Sequence, residues 1–145
     1  YYFEYFSSNP KMLLSDGILR AFFDNPYHYA APEQIGAVYF GSPMTNSNAN
    51  VWASAFADFG YFGMGAVTVA LGAVFRLIDS MALNRGFLIP AFLTSFLGMK
   101  LSDVALDTSI LSHGTLAILL IVYVLPPLKV EVMSDERFRP AGATA

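Results

Sequence analysis

The sequence contains no cysteine, which excludes disulfide bonds and thiolate metal sites and leaves the compartment of the chain open. Charged residues make up only 13% of the 145 residues, whereas an average soluble domain carries about 25%. Acidic residues outnumber basic ones by 11 to 8, so there is no basic surface of the kind that binds nucleic acid. A Gly-rich phosphate loop, an HExxH motif and a GxSxG motif are all absent, which removes the common soluble-enzyme signatures.

Apolar and aromatic residues are abundant instead. Hydrophobic residues make up 55% of the chain, with 13 Phe and 8 Tyr, and the mean hydropathy is +0.50. This composition predicts a membrane protein. The sequence opens at Tyr1 with no basic segment ahead of an apolar run, so we expect no signal peptide and a chain that is part of a longer protein.

Three apolar stretches predict membrane helices. The first has no charged residue between Asp58 and Arg76, which is close to the shortest length that crosses a bilayer. The second is long enough only if its helix continues past Lys100 to Leu106, and a re-entrant segment is the alternative. We therefore predict an all-α integral membrane protein, part of a larger bundle, whose helices span about residues 50–78, 86–106 and 108–127.

The flanking regions are predicted to lie on opposite sides of the membrane. Residues 1–49 read as an outer-face loop region with one or two short helices, including an amphipathic helix at residues 11–23. Residues 129–145 read as a disordered tail. Basic residues are denser in the tail and in the hairpin at residues 76–85 than on the other side, so these two parts are predicted to be cytoplasmic.

The candidate site starts at the polar mouth of the first span. Asn46 or Asn48 is predicted to cap the helix, and Asp58 lies just inside the apolar boundary. An unpaired charge is costly there, so Asp58 needs a basic partner or a task. The candidate partners are Lys11, Arg20 and Lys100.

The predicted outer face gathers further polar residues that could act on a sugar. A carboxylate could deprotonate a sugar hydroxyl, and Lys or Arg could hold a diphosphate. Solvation of Asp16 and a helix-start hydrogen bond from His113 are the structural alternatives. The acidic, amide and imidazole residues of this face are Asp16, Asp24, Asn46, Asn48, Asn50, Asp58, Asp103, Asp107 and His113.

The order of these motifs resembles the C-terminal part of bacterial O-antigen or oligosaccharide repeat-unit polymerases. In that family, a periplasmic loop ends in an Asn-rich aromatic segment that leads into an FG-x-x-G helix start. An S-x-L-x-x-G element precedes the last span. The residues that carry the resemblance are Asn48, Asn50, Asp58, Phe59, Gly60, Gly63, Ser109, Leu111 and Gly114.

The resemblance implies an integral-membrane glycosyltransferase of the bacterial inner membrane. It would transfer a growing glycan from an undecaprenyl diphosphate carrier onto the next lipid-linked repeat unit at the periplasmic face, without a metal, a nucleotide sugar or another cofactor. The candidate catalytic residues are Asp58, Asp16 and His113. The candidate substrate-binding residues are Asn46, Asn48, Asn50, Trp52, Lys11, Arg20 and Lys100.

Two other classes stay open. A transporter or channel fragment predicts broken helices with polar residues at mid-span, whereas polarity here gathers at one face. A non-catalytic membrane subunit would pack through small residues of the first span such as Gly65, Ala66 and Ala73.

Overall fold

The computed structural model describes residues 1–17, 20–45, 47–85, 87–106, 108–112 and 114–124, except for the side chains of residues 82–85, 112 and 122. Every regular element in this part of the chain is helical, which confirms the predicted all-α class. The helices are α1 (Tyr2–Ser8), α2 (Ala31–Phe40), α3 (Val51–Arg85), α4 (Leu88–Leu101), a π-helical turn (Thr108–Ser112) and α5 (Thr115–Val124).

Helix α3 reverses direction at Gly60, whose φ of 63° and ψ of -147° are not helical. Only glycine adopts this region readily. Trp52 Nε1 donates a hydrogen bond of 3.1 Å to Thr68 Oγ1, although these residues would lie about 24 Å apart along a straight helix. The residues before Gly60, 51–59, therefore fold back along the residues after it, 61–85. We call them the first arm and the second arm.

Gly63 allows the two arms to approach each other closely. A Cβ atom at Gly63 would lie 2.3 Å from the carbonyl oxygen of Ala55 and 3.0 Å from Cβ of Phe59. The backbone of the first arm thus occupies the space that a side chain at position 63 would need. Gly60 provides the reversal and Gly63 provides the contact.

Among the residues that the structure describes, one helix, Val51–Met81, is long and apolar enough to cross a membrane, and only 17% of its most apolar window is buried. The reversal at Gly60 leaves the second arm, residues 61–85, as the straight part of α3, about 37 Å long against about 30 Å of hydrocarbon. Helix α4 has 14 residues, about 21 Å, and ends at Leu101 instead of continuing through Leu106. Three spans therefore stay a prediction.

The predicted third span, residues 108–127, is divided where the structure describes it. A π-helical turn ends at Ser112, and α5 begins at Thr115 after Gly114, whose φ is 74°. The end of this predicted span and the tail at residues 129–145 lie outside the described residues.

Two hydrophobic cores hold the helices together. The first joins α1, Met12 and α2 to the first arm, and the second joins the second arm and Val51, the first residue of the first arm, to α4 and α5. The first core contains Tyr2, Phe6, Met12, Ala31, Ile35, Ala53, Phe56 and Ala57. The second core contains Val51, Leu71, Ile78, Met81, Leu93, Leu97, Leu101 and Leu119.

The predicted amphipathic helix at residues 11–23 is wrong. The described residues of this segment form turns, and Leu13 and Leu14 have left-handed φ values of 55° and 59°. The two short helices of the N-terminal region are α1 and α2 instead. The reason is tertiary, because the backbone of this segment bonds to the end of the first arm.

The helix cap of α3 is Asn50 rather than Asn46 or Asn48. Its Oδ1 accepts a hydrogen bond of 3.0 Å from the backbone N–H of Ala53, the third residue of the helix. This is the standard N-cap geometry, which satisfies one of the free N–H groups at a helix start.

Candidate functional site

A polar cavity of about 270 Å³ brings together parts of the chain that are distant in sequence. Its walls come from the turn at residues 14–17, the start of α2, the first arm, and residues 103–105 and 108. The polar side chains that line this polar cavity include Tyr2, Asp16, Asn48, Ser54, Asp58, Asp103 and Thr108. Three of the residues predicted from sequence, Asp16, Asn48 and Asp58, thus meet in one place.

The side chain of Asp58 connects the turn to the first arm through a hydrogen bond. Its Oδ1 accepts a hydrogen bond of 2.9 Å from the backbone N–H of Leu14, and its side chain is buried. The backbone N–H groups of Met12 and Leu13 donate to the carbonyls of Ala57 and Asp58, at 3.0 and 3.4 Å. These carbonyls belong to the last turn of the first arm. The last carbonyl groups of a helix have no N–H donor within the same helix, so they need donors from elsewhere.

These hydrogen bonds offset the backbone strain of the turn. A left-handed backbone costs an L-residue about 1–2 kcal/mol, and Leu13 and Leu14 both adopt it. A hydrogen bond to a charged group contributes about 1.5–3 kcal/mol, and the turn also buries Met12 completely. The carboxylate of Asp58 therefore has a structural role, and it also faces the polar cavity.

Asp16 likewise lines the polar cavity and has a structural role. Its Oδ2 accepts a hydrogen bond of 2.9 Å from the backbone N–H of Ala31, the first residue of α2. A carboxylate at a helix N-terminus also interacts favourably with the helix dipole. The carboxylates of Asp16 and Asp58, together with burial as the largest cause, raise the pKa of the Tyr2 hydroxyl above its usual range. Tyr2 therefore stays neutral and donates to the carbonyl of Ser47 at 2.9 Å.

Asp103 is the carboxylate of the polar cavity that the candidate catalytic and binding residues predicted from the sequence omit. It is exposed and follows directly on α4, and within the described residues its side chain makes no hydrogen bond, in contrast to Asp16 and Asp58. The sequence places it on the predicted outer face, but nothing in its local pattern separates it from a solvated loop residue. Only the packing of α4 against the second arm brings it to the polar cavity.

An apolar groove of about 450 Å³ adjoins the polar cavity. It runs between the two arms on one side and residues 105, 106, 110 and 111 on the other. The groove and the polar cavity share Leu14, Asp58 and Ala105. Its other lining residues, which are all apolar, include Val51, Phe59, Phe62, Val67, Ile110 and Leu111.

A third cavity, of about 630 Å³, opens on the other side of the polar cavity. We call it the aromatic cavity because Tyr1, Phe3 and Phe40 form much of its wall. The residues that it shares with the polar cavity are Tyr2, Asn48, Ala49 and Asp103. Asn50 lines the aromatic cavity and Asp58 the polar one, so these two residues lie in adjoining cavities.

The predicted cations do not line the polar cavity. Lys11 Nζ donates to the carbonyl of Phe6 and lies 4.0 Å from the ring centroid of Phe56, and burial lowers the pKa of its amine. Lys100 Nζ lies 5.9 Å from the ring centroid of Phe96. Lys11 and Lys100 therefore face aromatic rings.

The remaining predicted residues have separate locations. Arg20 lines a fourth cavity, about 380 Å³, which lies on the other side of Asp16. Trp52 holds the two arms together through Thr68. Asn46 and His113 lie outside the described residues.

Within the described part of the chain, no group of three or more His, Cys, Asp or Glu residues is arranged to hold a metal ion. No family model, no curated protein and no solved structure matches the chain.

Proposed function

We propose that this chain forms part of an integral-membrane glycosyltransferase that polymerises undecaprenyl-diphosphate-linked oligosaccharide repeat units at the periplasmic face of the bacterial inner membrane. The observation that carries the proposal is the shared wall between the polar cavity and the apolar groove. A lipid-linked glycan has the same division into a hydroxyl-rich head and a hydrocarbon chain. The head suits the carboxylates and amide of the polar cavity, and the chain suits the groove.

The polar cavity supplies the acid–base part of the transfer. A carboxylate there accepts the proton of the acceptor hydroxyl, whose oxygen bonds to the anomeric carbon of the donor sugar. The bond from that carbon to the diphosphate breaks, and the lipid diphosphate leaves with the electron pair. Asp103 is our candidate for the base, because Asp16 and Asp58 each accept a backbone hydrogen bond.

The donor diphosphate requires cations. Within the described residues, neither the polar cavity nor the apolar groove is lined by Lys or Arg. Arg20, beyond Asp16, is the cation in the neighbouring cavity. We therefore assign the polar cavity to the acceptor sugar and expect further basic residues of a longer chain to hold the donor.

Asp103→Asn in the full-length protein tests the proposal. We expect surface polysaccharide ladders to disappear and lipid-linked single repeat units to accumulate at normal protein abundance, because loss of a general base costs about 10²–10⁴ in rate. Asp79→Asn is the matched control, since Asp79 is an exposed carboxylate on the second arm away from all four cavities. A wild-type ladder from Asp103→Asn would remove Asp103 as the base.

Asp58 needs two variants, because its carboxylate is both structural and placed in the cavity. Asn at position 58 can still accept the hydrogen bond from Leu14, so Asp58→Asn should keep normal abundance and lose polymer if the charge takes part in the reaction. Asp58→Ala leaves the Leu14 N–H without this acceptor and should lower abundance. Normal polymer from Asp58→Asn would show that Asp58 acts only as a structural residue.

A non-catalytic membrane subunit is the second candidate. Gly65, Ala66 and Ala73 are exposed on the second arm, and a Cβ atom at Gly65 would meet nothing within 4 Å. Small residues of this kind let membrane helices pack closely. Loss of a partner complex in Ala73→Leu, at a position that does not line the apolar groove, together with normal polymer in Asp103→Asn would favour this function.

A further inference from the structure

The aromatic cavity has a wall of aromatic rings that the proposed transfer at the polar cavity does not use. Aromatic rings form one part of its wall, and amide, hydroxyl and carboxylate groups form another. Its volume of about 630 Å³ is within the range of about 300–1,000 Å³ that is usual for ligand sites. It is therefore large enough for a ligand of its own.

The rings are fixed in place but accessible. Phe40 is 49% exposed and Phe3 is 43% exposed. The Tyr1 and Phe40 rings meet edge to face with centroids 5.3 Å apart, and the Phe3 ring lies 4.7 Å from that of Phe56. Aromatic contacts of this kind hold the rings in position. A ligand would thus meet apolar faces that need little ordering when it binds.

The polar groups of the cavity can serve a ligand rich in hydroxyls. The Oδ1 atom of Asn50 is used in the helix cap, which leaves its amide N–H groups as donors. Asn48 and Asp103 are exposed and contribute an amide and a carboxylate acceptor. Donors and acceptors therefore stand beside the aromatic faces.

We propose that the aromatic cavity is a saccharide subsite, which binds the sugar unit next to the one in the polar cavity. A pyranose ring combines an apolar face of C–H groups with a rim of hydroxyls, and this cavity offers a partner for each. Because Asn48 and Asp103 line both cavities, one oligosaccharide can occupy both at once. The identity of the saccharide as part of a repeat unit rests on the proposed function.

The test measures binding of a defined probe to the full-length protein in lipid nanodiscs. The probe is lipid-free oligosaccharide released by mild acid from the surface polysaccharide of the host, and binding is followed by calorimetry. Phe40→Ala should weaken binding about tenfold, as expected for an aromatic residue at the centre of a site, and Phe40→Tyr should restore it. Phe22→Ala is the control, because Phe22 is 80% exposed and lines none of the four cavities described above.

The outcomes separate this inference from the proposed function. Equal affinity in Phe40→Ala and Phe22→Ala, or no binding by the wild-type protein, would overturn the subsite even if Asp103→Asn abolishes polymer. Weakened binding in Phe40→Ala would support it even if Asp103→Asn polymerises normally.

Accessibility provides a second measurement. The chain has no cysteine, so Phe40→Cys introduces the only thiol of residues 1–145. Labelling by an impermeant maleimide that the oligosaccharide blocks would support the subsite. Labelling that detergent or lipid alone blocks would show that the cavity faces the bilayer, and this would overturn it.

Discussion

Gly63→Ala is the substitution that tests the folded-back helix most directly. The added methyl group would lie 2.3 Å from the carbonyl oxygen of Ala55. This oxygen belongs to the backbone of the first arm, so no side-chain rotation removes the overlap. The arms must move apart for Ala to fit at position 63.

The expected magnitude combines two opposing effects. Overpacking of a fixed contact costs about 1–3 kcal/mol, whereas Ala in place of Gly in a helix gains about 0.5–1 kcal/mol. Gly65→Ala is the matched control, because a Cβ atom at Gly65 would meet nothing within 4 Å. Gly65→Ala should therefore keep or raise the free energy of unfolding, and Gly63→Ala should lie about 1–3 kcal/mol below it.

Trp52 provides the assay, since it is the one tryptophan of the sequence and bonds across the two arms to Thr68. Denaturant unfolding of the chain in detergent, followed by Trp52 fluorescence, gives the free energies of both variants. Gly63→Ala should also shift the emission of the folded state, as should Thr68→Val, which removes the acceptor. Equal stability and unchanged emission in both Gly variants would refute the reversal and favour a continuous helix through Gly60.

Three further predictions concern the Tyr27 hydroxyl, the cap of α3 and the topology of the chain in the membrane. Burial, as the largest cause, and the hydroxyl of Tyr5 raise the pKa of Tyr27 to about 12 from its ordinary 10.0, so the folded state keeps a proton that the unfolded state loses above pH 10. Stability should therefore fall between about pH 10 and 12, and Tyr27→Phe should flatten this fall in a pH series of thermal unfolding. Asn50→Ala removes the cap of α3 and should cost about 0.5–2 kcal/mol in chemical denaturation, whereas Asn48→Ala should leave stability unchanged. Cysteine at Ser47 should react with an impermeant reagent in cells with a permeable outer membrane, and cysteine at Ser80 should not; strong labelling at Ser80 would reverse the predicted topology.

The sequence indicates only part of the candidate site: it singles out Asp58 but indicates neither the partner of Asp58 nor the role of Asp103. Asp58 stands out in the sequence because a lone carboxylate at an apolar boundary needs a partner. The structure provides the backbone N–H of Leu14, a group that every residue type except proline carries, so no sequence pattern could indicate it. Asp103 has no such signal, because its approach to Asp16 and Asp58 depends on how α4 packs.

Local composition determined the helical class and the apolar run after Asp58. The scarcity of charge and the length of that run are properties of consecutive residues, and the exposed, membrane-length helix agrees with them. Tertiary contacts decided the rest. The apolar periodicity at residues 11–23 favoured a helix. The backbone N–H groups of Met12 and Leu13 instead bond to the carbonyls at the end of the first arm, and the segment forms a strained turn. The same reversal at Gly60 exposes those carbonyls and shapes the cavities, because it sets residues distant along the chain side by side.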